Sequence, residues 1–317
     1  MSASEGRIDL HCHFTPDFYR EEILARNMAP TSGVYPLWSP QLALDFMDTN
    51  GVGASVISIS HPGVHFGDRA GARVLARRCN EVGAECSQRW PDRFGAFLTV
   101  PLPDVDNALA EIDYAFDTLK LDGICLLASY HGKFLGDPLF DPVLAELDRR
   151  GAVCFIHPSM HPTTSALGLA WPIFVMEFLF DTTRAVVNLL FTGALERYPN
   201  IRFILAHAGG LVPYFSWRLS VAPMVSPLLP QWEPERIFAA LRRFWYDTAL
   251  SAGPQTMGTL AQVAEPSRIV FGSDWPPAGP KAVRASIDAL NAPGYLSEAQ
   301  RRAIERDNAL ALFPRLR

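Results

Sequence analysis

The stretch Arg7-Ile-Asp-Leu-His-Cys-His-Phe14 decides how the fold of this 317-residue chain is interpreted. It is short and largely apolar, and it contains neither glycine nor proline, which is typical of a buried strand. Side chains two residues apart in a strand point to the same face, so Asp9, His11 and His13 should share one face. The apolar residue before each of them should then point to the opposite face.

Seven further apolar runs of similar length follow, so that the eight runs span residues 7–14, 54–61, 94–101, 123–129, 152–158, 202–208, 244–250 and 268–275. Between them the apolar spacing predicts helices over residues 39–50, 69–89, 104–119, 141–150, 182–198, 233–243, 254–264, 281–291 and 297–312. Strands that alternate with helices form parallel sheets, and eight such units close into a barrel. An open doubly wound sheet would usually carry a glycine-rich phosphate loop after an early strand, and none is present. We therefore expect a single α/β domain over residues 1–317, a (β/α)8 TIM barrel with inserted loops at its C-terminal face.

Histidines stand at or beside the ends of three of these strands. His11 and His13 end the first strand, His157 the fifth and His207 the sixth, and the eighth ends at Asp274. The strand alternation predicts that all five side chains point into the barrel, at the end where barrel enzymes place their chemistry. Imidazole nitrogens with one carboxylate suit zinc, and also manganese or iron. We expect one divalent ion, with zinc as the preferred metal and manganese as the alternative, and no organic cofactor.

The composition excludes several classes of protein. The net charge of −5 gives no electrostatic basis for binding nucleic acid or an anionic membrane. No apolar run is long enough to span a bilayer, and the five cysteines are scattered through apolar stretches, so we expect a cytoplasmic protein with free thiols. Charged residues make up 19% of the chain, below the norm of about 25%, which suggests that part of the surface is covered in a homodimer or larger homo-oligomer.

Four motifs resemble those of the amidohydrolase superfamily. They are Ile8-Asp-Leu-His-Cys-His-Phe14, Phe155-Ile-His-Pro158, Leu205-Ala-His-Ala-Gly-Gly210 and Phe271-Gly-Ser-Asp-Trp-Pro276. The stretches at 191–199 and 246–251 are similar to the branch that contains semialdehyde and aromatic-acid decarboxylases, especially the 6-methylsalicylate decarboxylases. The resemblance extends from residue 7 to about residue 313.

The resemblance implies roles for individual residues. It implies metal ligation by His11, His13, His157 and Asp274, with His207 as the acid or base beside the metal. In the semialdehyde decarboxylase an arginine eleven residues after that last histidine binds the substrate carboxylate across a dimer interface. Arg218 stands at this spacing here, and it is equally compatible with a surface arginine on a helix.

Two residues that other members of the superfamily use for catalysis are absent from the corresponding positions of this sequence. Binuclear members of the superfamily use a carboxylated lysine at the end of strand four, but here the nearest lysine, Lys133, lies in the following loop. Mononuclear deaminases place a glutamate just after a ligand histidine, and neither His157 nor His207 is followed by one. We therefore expect a metal-dependent, non-oxidative decarboxylase of a hydroxyaromatic acid, in which Asp274 or His207 protonates the ring before CO2 leaves.

Other functions remain open on the sequence alone. In a variant of the decarboxylase scheme, His207 activates a water that adds to the substrate first. A mononuclear hydrolase of a lactone, ester or amide would use the same ligands, with Asp274 as the base. A metal-containing protein without catalytic activity is a third hypothesis, for which the sequence offers no positive sign.

Aromatic residues on loops that follow strands are candidates for the wall of a pocket for a planar substrate. They are Phe14, Trp38, Phe66, Tyr130, Trp171 and Trp275. His61 and His65 follow strand two, where either could bind a carboxylate or simply be hydrogen-bonded in packing. Asp247 could support a ligand histidine or be an ordinary satisfied carboxylate. The segment 217–232 is interpreted as an apolar, proline-rich loop that contacts another subunit.

Overall fold

The computed structural model describes residues 6–26, 28 and 35–317. Its strands are β1 (Arg7–His13), β2 (Val52–Ser58), β3 (Phe94–Leu98), β4 (Gly123–Leu127), β5 (Ser129–Tyr130), β6 (Lys133–Phe134), β7 (Val153–His157), β8 (Arg202–Leu205), β9 (Trp245–Asp247) and β10 (Ile269–Val270). Eight of them form one parallel sheet in the order β1-β2-β3-β4-β7-β8-β9-β10. The short β5–β6 hairpin is inserted after β4.

Hydrogen bonds from β1 to the segment after β10 close the sheet into a barrel. The Leu10 amide donates to the Phe271 carbonyl (3.0 Å), and the His13 amide donates to the Trp275 carbonyl (2.8 Å). The predicted (β/α)8 barrel is thereby confirmed. None of the helices in the described residues is long and apolar enough to cross a bilayer.

The α-helices of the described residues are α1 (Asp17–Ala25), α2 (Pro40–Asn50), α3 (Arg69–Arg89), α4 (Val105–Asp117), α5 (Asp141–Arg149), α6 (Glu177–Phe191), α7 (Ala194–Arg197), α8 (Val212–Val225), α9 (Pro234–Leu241), α10 (Pro254–Leu260), α11 (Gly279–Leu290), α12 (Glu298–Arg302) and α13 (Asn308–Leu312). A π-helical turn joins α12 to α13. The predicted helix over 182–198 is two helices, because Gly193 adopts φ 75° between α6 and α7. The 217–232 segment begins as helix and not as loop. Pro213 lies in the first turn of α8, where a missing N–H costs nothing, and Pro223 lies near its end.

A bulge in β1 changes which side chains face inward. The step from Asp9 to Cys12 on β1 is matched by a step of only two residues on β2. Ile8 and Leu10 consequently pack in the barrel interior, whereas the alternation predicted them outside, and only Cys12 packs in the outer layer. Because the bulge inserts one extra residue, His11 can also face inward directly after Leu10.

The interior below the site is filled by aromatic rings. Phe97 and Phe155 stack with centroids 5.6 Å apart, and Phe313 closes the bottom of the barrel against Phe97. The ring of His11 packs edge-on against Phe155 at 4.9 Å. The site above therefore rests on a rigid apolar floor.

Candidate metal centre and active site

Four side chains from three remote parts of the chain converge at the C-terminal end of the barrel. His11, His13, His157 and Asp274 are all buried, and each offers one ligand atom within 4.8 Å of the others. The Nε2 atoms of His11 and His13 lie 3.1 Å apart, and Oδ1 of Asp274 lies 3.3 and 3.2 Å from them. Two ligands at about 2.1 Å from one zinc ion would be separated by about 3.0–3.4 Å. The spacing therefore fits a shared metal ion.

Hydrogen bonds at Nδ1 orient two of these rings. Nδ1 of His11 donates to Oδ2 of Asp247 at 2.6 Å, and Nδ1 of His157 donates to the Pro158 carbonyl at 2.7 Å. Because these oxygens only accept, each Nδ1 carries the hydrogen and each Nε2 keeps its lone pair. Two roles were predicted for Asp247, and its hydrogen bond to His11 corresponds to the first, the support of a candidate ligand histidine.

Ser58 performs the same task for His13. Its hydroxyl donates to the Cys12 carbonyl (3.3 Å) and accepts from Nδ1 of His13 (3.0 Å). Sequence reasoning missed Ser58, although a serine among the inward-facing residues of an apolar strand was an available signal. The Nε2 atoms of the three rings therefore converge on one point, which is the arrangement that a shared metal ion requires.

The electrostatics favour a cation in the cluster. Burial would lower the pKa of His11, but the charges of Asp247 and Asp274 raise it to about 10. Burial and the neighbouring His13 and His11 hold the pKa of His157 well below its ordinary value. The carboxylates thus favour positive charge in the cluster, but the rings lie too close together for all of them to be protonated. A divalent ion would supply the positive charge while the rings stay neutral.

Unusual backbone conformations bring the last ligand into place. β10 ends at Val270, earlier than predicted, and Asp274 has φ 58°, a left-handed conformation that aspartate tolerates. A Cβ at Gly272 would lie 2.7 Å from the Cβ of His11, so glycine is needed there for the strands to approach. The alternation argument that placed Asp274 on a strand is wrong in detail, although the side chain does reach the cluster.

His207 also reaches the site by a turn and not by strand alternation. Strand alternation would place Phe203 and Leu205 on the same face as His207, but both pack in the outer layer. His207 enters the interior because β8 has ended and its φ is 54°. Its Nδ1 lies 3.1 Å from the Ala249 carbonyl, which makes Nδ1 the donor. Its ring lies 4.8 Å from that of His11 but is not among the four clustered ligands.

A cavity of about 480 Å³ opens above the cluster, within the range of about 300–1,000 Å³ usual for small ligands. His13, His157, His207 and Asp274 form its buried inner end. Its aromatic walls are Phe14, Tyr19, Tyr35, Phe174 and Phe178. A planar aromatic ligand would fit between these rings.

The structure places some of the predicted contact residues in this cavity and others outside it. Phe14 and His61 line it. Trp275 does not, because its ring is buried against Phe46 of α2. Tyr130 lines a separate cavity, and Trp171 is 47% exposed outside the lining.

Trp38 packs behind Phe14 with a centroid distance of 5.6 Å, and Phe66 lines the same separate cavity as Tyr130. The sequence missed Tyr19 on α1 and Phe178 on α6. Both helix starts were unpredicted, and an aromatic residue in the first turn of a helix gives no signal that separates it from ordinary core. Arg218 lies on the exposed face of α8, outside the cavity lining.

Only one such metal cluster exists in the described residues. Lys133 lies away from it, in the inserted hairpin, where it forms an exposed ion pair with Asp137 at 3.0 Å. Lys133 therefore lies after β4, as the sequence indicated, and is not among the four clustered residues.

The family model described as amidohydrolase matches residues 8–315. The chain belongs to the amidohydrolase family. A 6-methylsalicylic acid decarboxylase from Penicillium expansum is 37% identical over 321 residues, covering 98% of this chain and 97% of its own length. The resemblance predicted from the four motifs is thereby confirmed.

Solved structures of the family share the fold closely. A 2,6-dihydroxybenzoate decarboxylase in complex with 2,6-dihydroxybenzoate has a TM-score of 0.85 and 26% identity, covering 98% of this chain and 99% of that one. A dihydroxybenzoic acid decarboxylase from a Polaromonas species, with bound manganese and the inhibitor 2-nitroresorcinol, has a TM-score of 0.83 and 23% identity, covering 100% and 98%.

Proposed function

We propose that the protein is a metal-dependent, non-oxidative decarboxylase of a hydroxyaromatic carboxylic acid such as 6-methylsalicylate. The observation that carries this proposal is the ligand cluster at the closed end of an aromatic-walled cavity. Its similarity to aromatic-acid decarboxylases over nearly the whole chain supports it.

The proposed ligands are His11, His13, His157 and Asp274, around one divalent ion. Zinc suits three imidazoles and one carboxylate, and the related manganese-containing structure supports manganese as the alternative. When bound, the ion would supply a Lewis acid for the carboxylate and ortho hydroxyl of the substrate. Metal analysis of protein purified without chelators tests this assignment, and a protein that takes up no stoichiometric ion would contradict it.

The proton must reach the ring before CO2 leaves, because direct loss of CO2 would produce an aryl carbanion. Burial would raise the pKa of Asp274, but the charge and hydrogen bonds of His11 and His13 hold it well below its usual range. Asp274 is therefore poorly suited to carry a proton at neutral pH. Because Nδ1 of His207 donates to the Ala249 carbonyl, its Nε2 is free to take up a proton and to deliver it to the ring from the imidazolium form, which supports His207 as the proton donor.

Phe14 and Phe178 would flank the substrate ring, and His61 would contact an oxygen at its edge. Burial lowers the pKa of His61 to about 4, so its ring is neutral at physiological pH. Its Nδ1 accepts from the Met160 amide (3.4 Å), which leaves Nε2 as the N–H donor. A neutral donor suits a phenol or carboxylate oxygen already polarised at the metal.

We further propose a homodimer or larger homo-oligomer in which Arg218 contacts the substrate site of a second copy. The exposed apolar side chains around Arg218 on α8 support a covered face. All five cysteines are free and buried, which supports a reducing, cytoplasmic location.

The deciding experiment incubates the metal-loaded protein with 6-methylsalicylate, salicylate and 2,6-dihydroxybenzoate and measures CO2 together with the phenolic product. A parallel panel of lactones and esters tests for hydrolysis. We expect CO2 from the hydroxybenzoates alone. Acid release from the second panel without CO2 from the first would overturn the proposal in favour of a hydrolase.

A further inference from the structure

A second cavity of about 170 Å³ lies in the other half of the barrel mouth. It lies beside the C-terminal ends of β2, β3 and β4, whereas the metal cluster draws its ligands from β1, β7 and the segment after β10. Most of its buried lining is apolar, and includes Ile59, Val64, Val100, Leu102 and Leu127. We call it the side cavity.

His61 separates the two cavities. Among the described residues it alone lines both. Its Nδ1 lies 3.2 Å from Oγ of Ser159, and the Ser159 amide in turn donates to the buried carboxylate of Asp181 at 2.7 Å. Ser129 donates to the same carboxylate at 2.9 Å. The partition is therefore a hydrogen-bonded wall one side chain thick.

The side cavity also reaches the surface. Its lining runs from Val100 and Leu127, which are almost fully buried, to Met160, which is 42% exposed. The exposed residues His131 and Pro162 lie at the same rim. The side cavity thus extends from the His61 partition to solvent.

The proposed reaction creates a need for such a passage. After the ring carbon has been protonated, the bond between it and the carboxyl carbon breaks, the electron pair of that bond returns to the ring and restores its aromaticity, and CO2 is released. This happens at the buried inner end of the main cavity. With the carboxylate held at the metal as proposed above, the aromatic product would lie between that end and the rim at Phe174 and Val175, so CO2 would form behind it.

We propose that the side cavity takes up CO2 and conducts it to the surface past His61, an inference that rests on the decarboxylase function proposed above. Its volume is below the range of about 300–1,000 Å³ usual for drug-sized ligands, so it suits a molecule smaller than that class. CO2 has no net dipole, and a mainly apolar lining accepts it more readily than it accepts ordered water.

Filling the side cavity tests the proposal. Val100→Phe projects a ring into it without touching the main cavity, and Val100→Leu is a milder variant in case the first does not fold. Val143→Phe is the matched control, because Val143 is equally buried on α5 and lines neither cavity. The holoenzyme is run in the carboxylation direction with a phenol and dissolved CO2, and its crystals are pressurised with CO2.

We expect CO2 density in the side cavity of the wild-type crystals and its loss in Val100→Phe. The KM for CO2 should rise at least fivefold in Val100→Phe, with the KM for the phenol unchanged within twofold and no such split in Val143→Phe. Ordered water or a substituent of the aromatic ligand in the side cavity, or identical kinetics in the two phenylalanine variants, would overturn the proposal. A protein that releases no CO2 from any hydroxybenzoate would instead refute the proposed function, and the CO2-pressurised crystals would still report on the side cavity.

Discussion

The mouth of the barrel and the outer face of α8 depart from ordinary burial in opposite directions. At the mouth, His11, Asp247 and Asp274 are buried polar groups, whereas on α8 Tyr214 and Trp217 are 77% and 69% exposed. Buried charges and exposed aromatic rings both cost free energy unless something compensates them. The comparison supports the two proposals made above, in which an ion binds at the mouth and a second copy of the chain covers α8.

The two regions differ in whether hydrogen bonds already hold their side chains in place. At the mouth, each of the three clustered histidines has its Nδ1 hydrogen bond formed, so these rings are already oriented for the proposed ion. On α8, exposed apolar side chains recur at helical spacing but make no comparable network. They are Tyr214, Trp217, Met224 and Val225, with Leu228 just beyond the helix. Substitutions at the mouth should therefore have the larger effects.

The largest effect is expected from His207→Gln. Glutamine keeps a polar side chain of similar size but cannot donate a proton as imidazolium does, so kcat should fall by about 10²–10⁴-fold. Because His207 is not among the four clustered ligands, metal content should remain stoichiometric. Steady-state kinetics and metal analysis on the same preparation measure both quantities.

The control for this variant is His161→Gln, which changes a half-buried histidine that is stacked on Phe134 and lines neither the cluster nor the main cavity. It should keep nearly full activity. If His207→Gln retains wild-type kcat with metal bound, Asp274 becomes the proton donor and the assignment to His207 is wrong.

Asp247→Asn should weaken metal binding by about 10–100-fold, the usual effect of removing a partner of a ligand histidine. Oδ2 of Asp247 accepts from His11, and Oδ1 accepts from the amides of His207 and Ala249. Asparagine has a single acceptor oxygen, so its amide group must face donors on one side. Competition with a chelator of known affinity measures the change, and Asp45→Asn, an exposed carboxylate on α2, should show none.

The sequence predicted most of this mouth because its signals are local. Histidines at strand ends and the motif around Asp274 required only the barrel and the family resemblance. The bulge in β1 and the left-handed turns at His207 and Asp274 could not be predicted, because they depend on the pairing of strands remote in sequence. For the same reason the aromatic walls were assigned poorly, since Phe178 enters the cavity from a helix whose start depends on tertiary packing.

Trp217→Glu tests the other half of the comparison. If the exposed face of α8 is covered by a second copy, a charge at its centre should weaken self-association by about 2 kcal/mol or more, or at least about 30-fold. Sedimentation velocity across a dilution series measures this. Val74→Glu, which places a charge at an exposed valine of α3, should leave association unchanged. A wild-type protein that is monomeric at micromolar concentration would contradict the covered face.

The smallest effect concerns Asp181, a carboxylate buried at the mouth but outside the metal cluster. Burial raises its pKa to about 6, although the Ser159 amide and the Ser129 hydroxyl both donate to it. Its folded pKa lies above the unfolded value of about 3.9, so the native state binds more protons between these values and stability falls as pH rises through them. A shift of about two pKa units corresponds to at most about 3 kcal/mol. Since asparagine cannot accept hydrogen bonds at both ends, we expect Asp181→Asn to stabilise the protein by about 1–2 kcal/mol above pH 6 and by almost nothing near pH 4.

Thermal melts of the metal-loaded wild type and Asp181→Asn from pH 4 to pH 8 measure this difference. Protonation of the ligand histidines affects both proteins equally, so the comparison isolates the Asp181 contribution. A variant whose melting temperature differs from wild type by the same amount at every pH would show that Asp181 does not titrate in this range. A destabilised variant above pH 6 would show that its two hydrogen bonds outweigh the cost of burying the charge. A higher melting temperature of Asp181→Asn at neutral pH would instead mean that the wild-type protein keeps the Asp181 carboxylate at a net cost to its stability. The exposed aromatic rings of α8 would carry a comparable cost in a single copy of the chain.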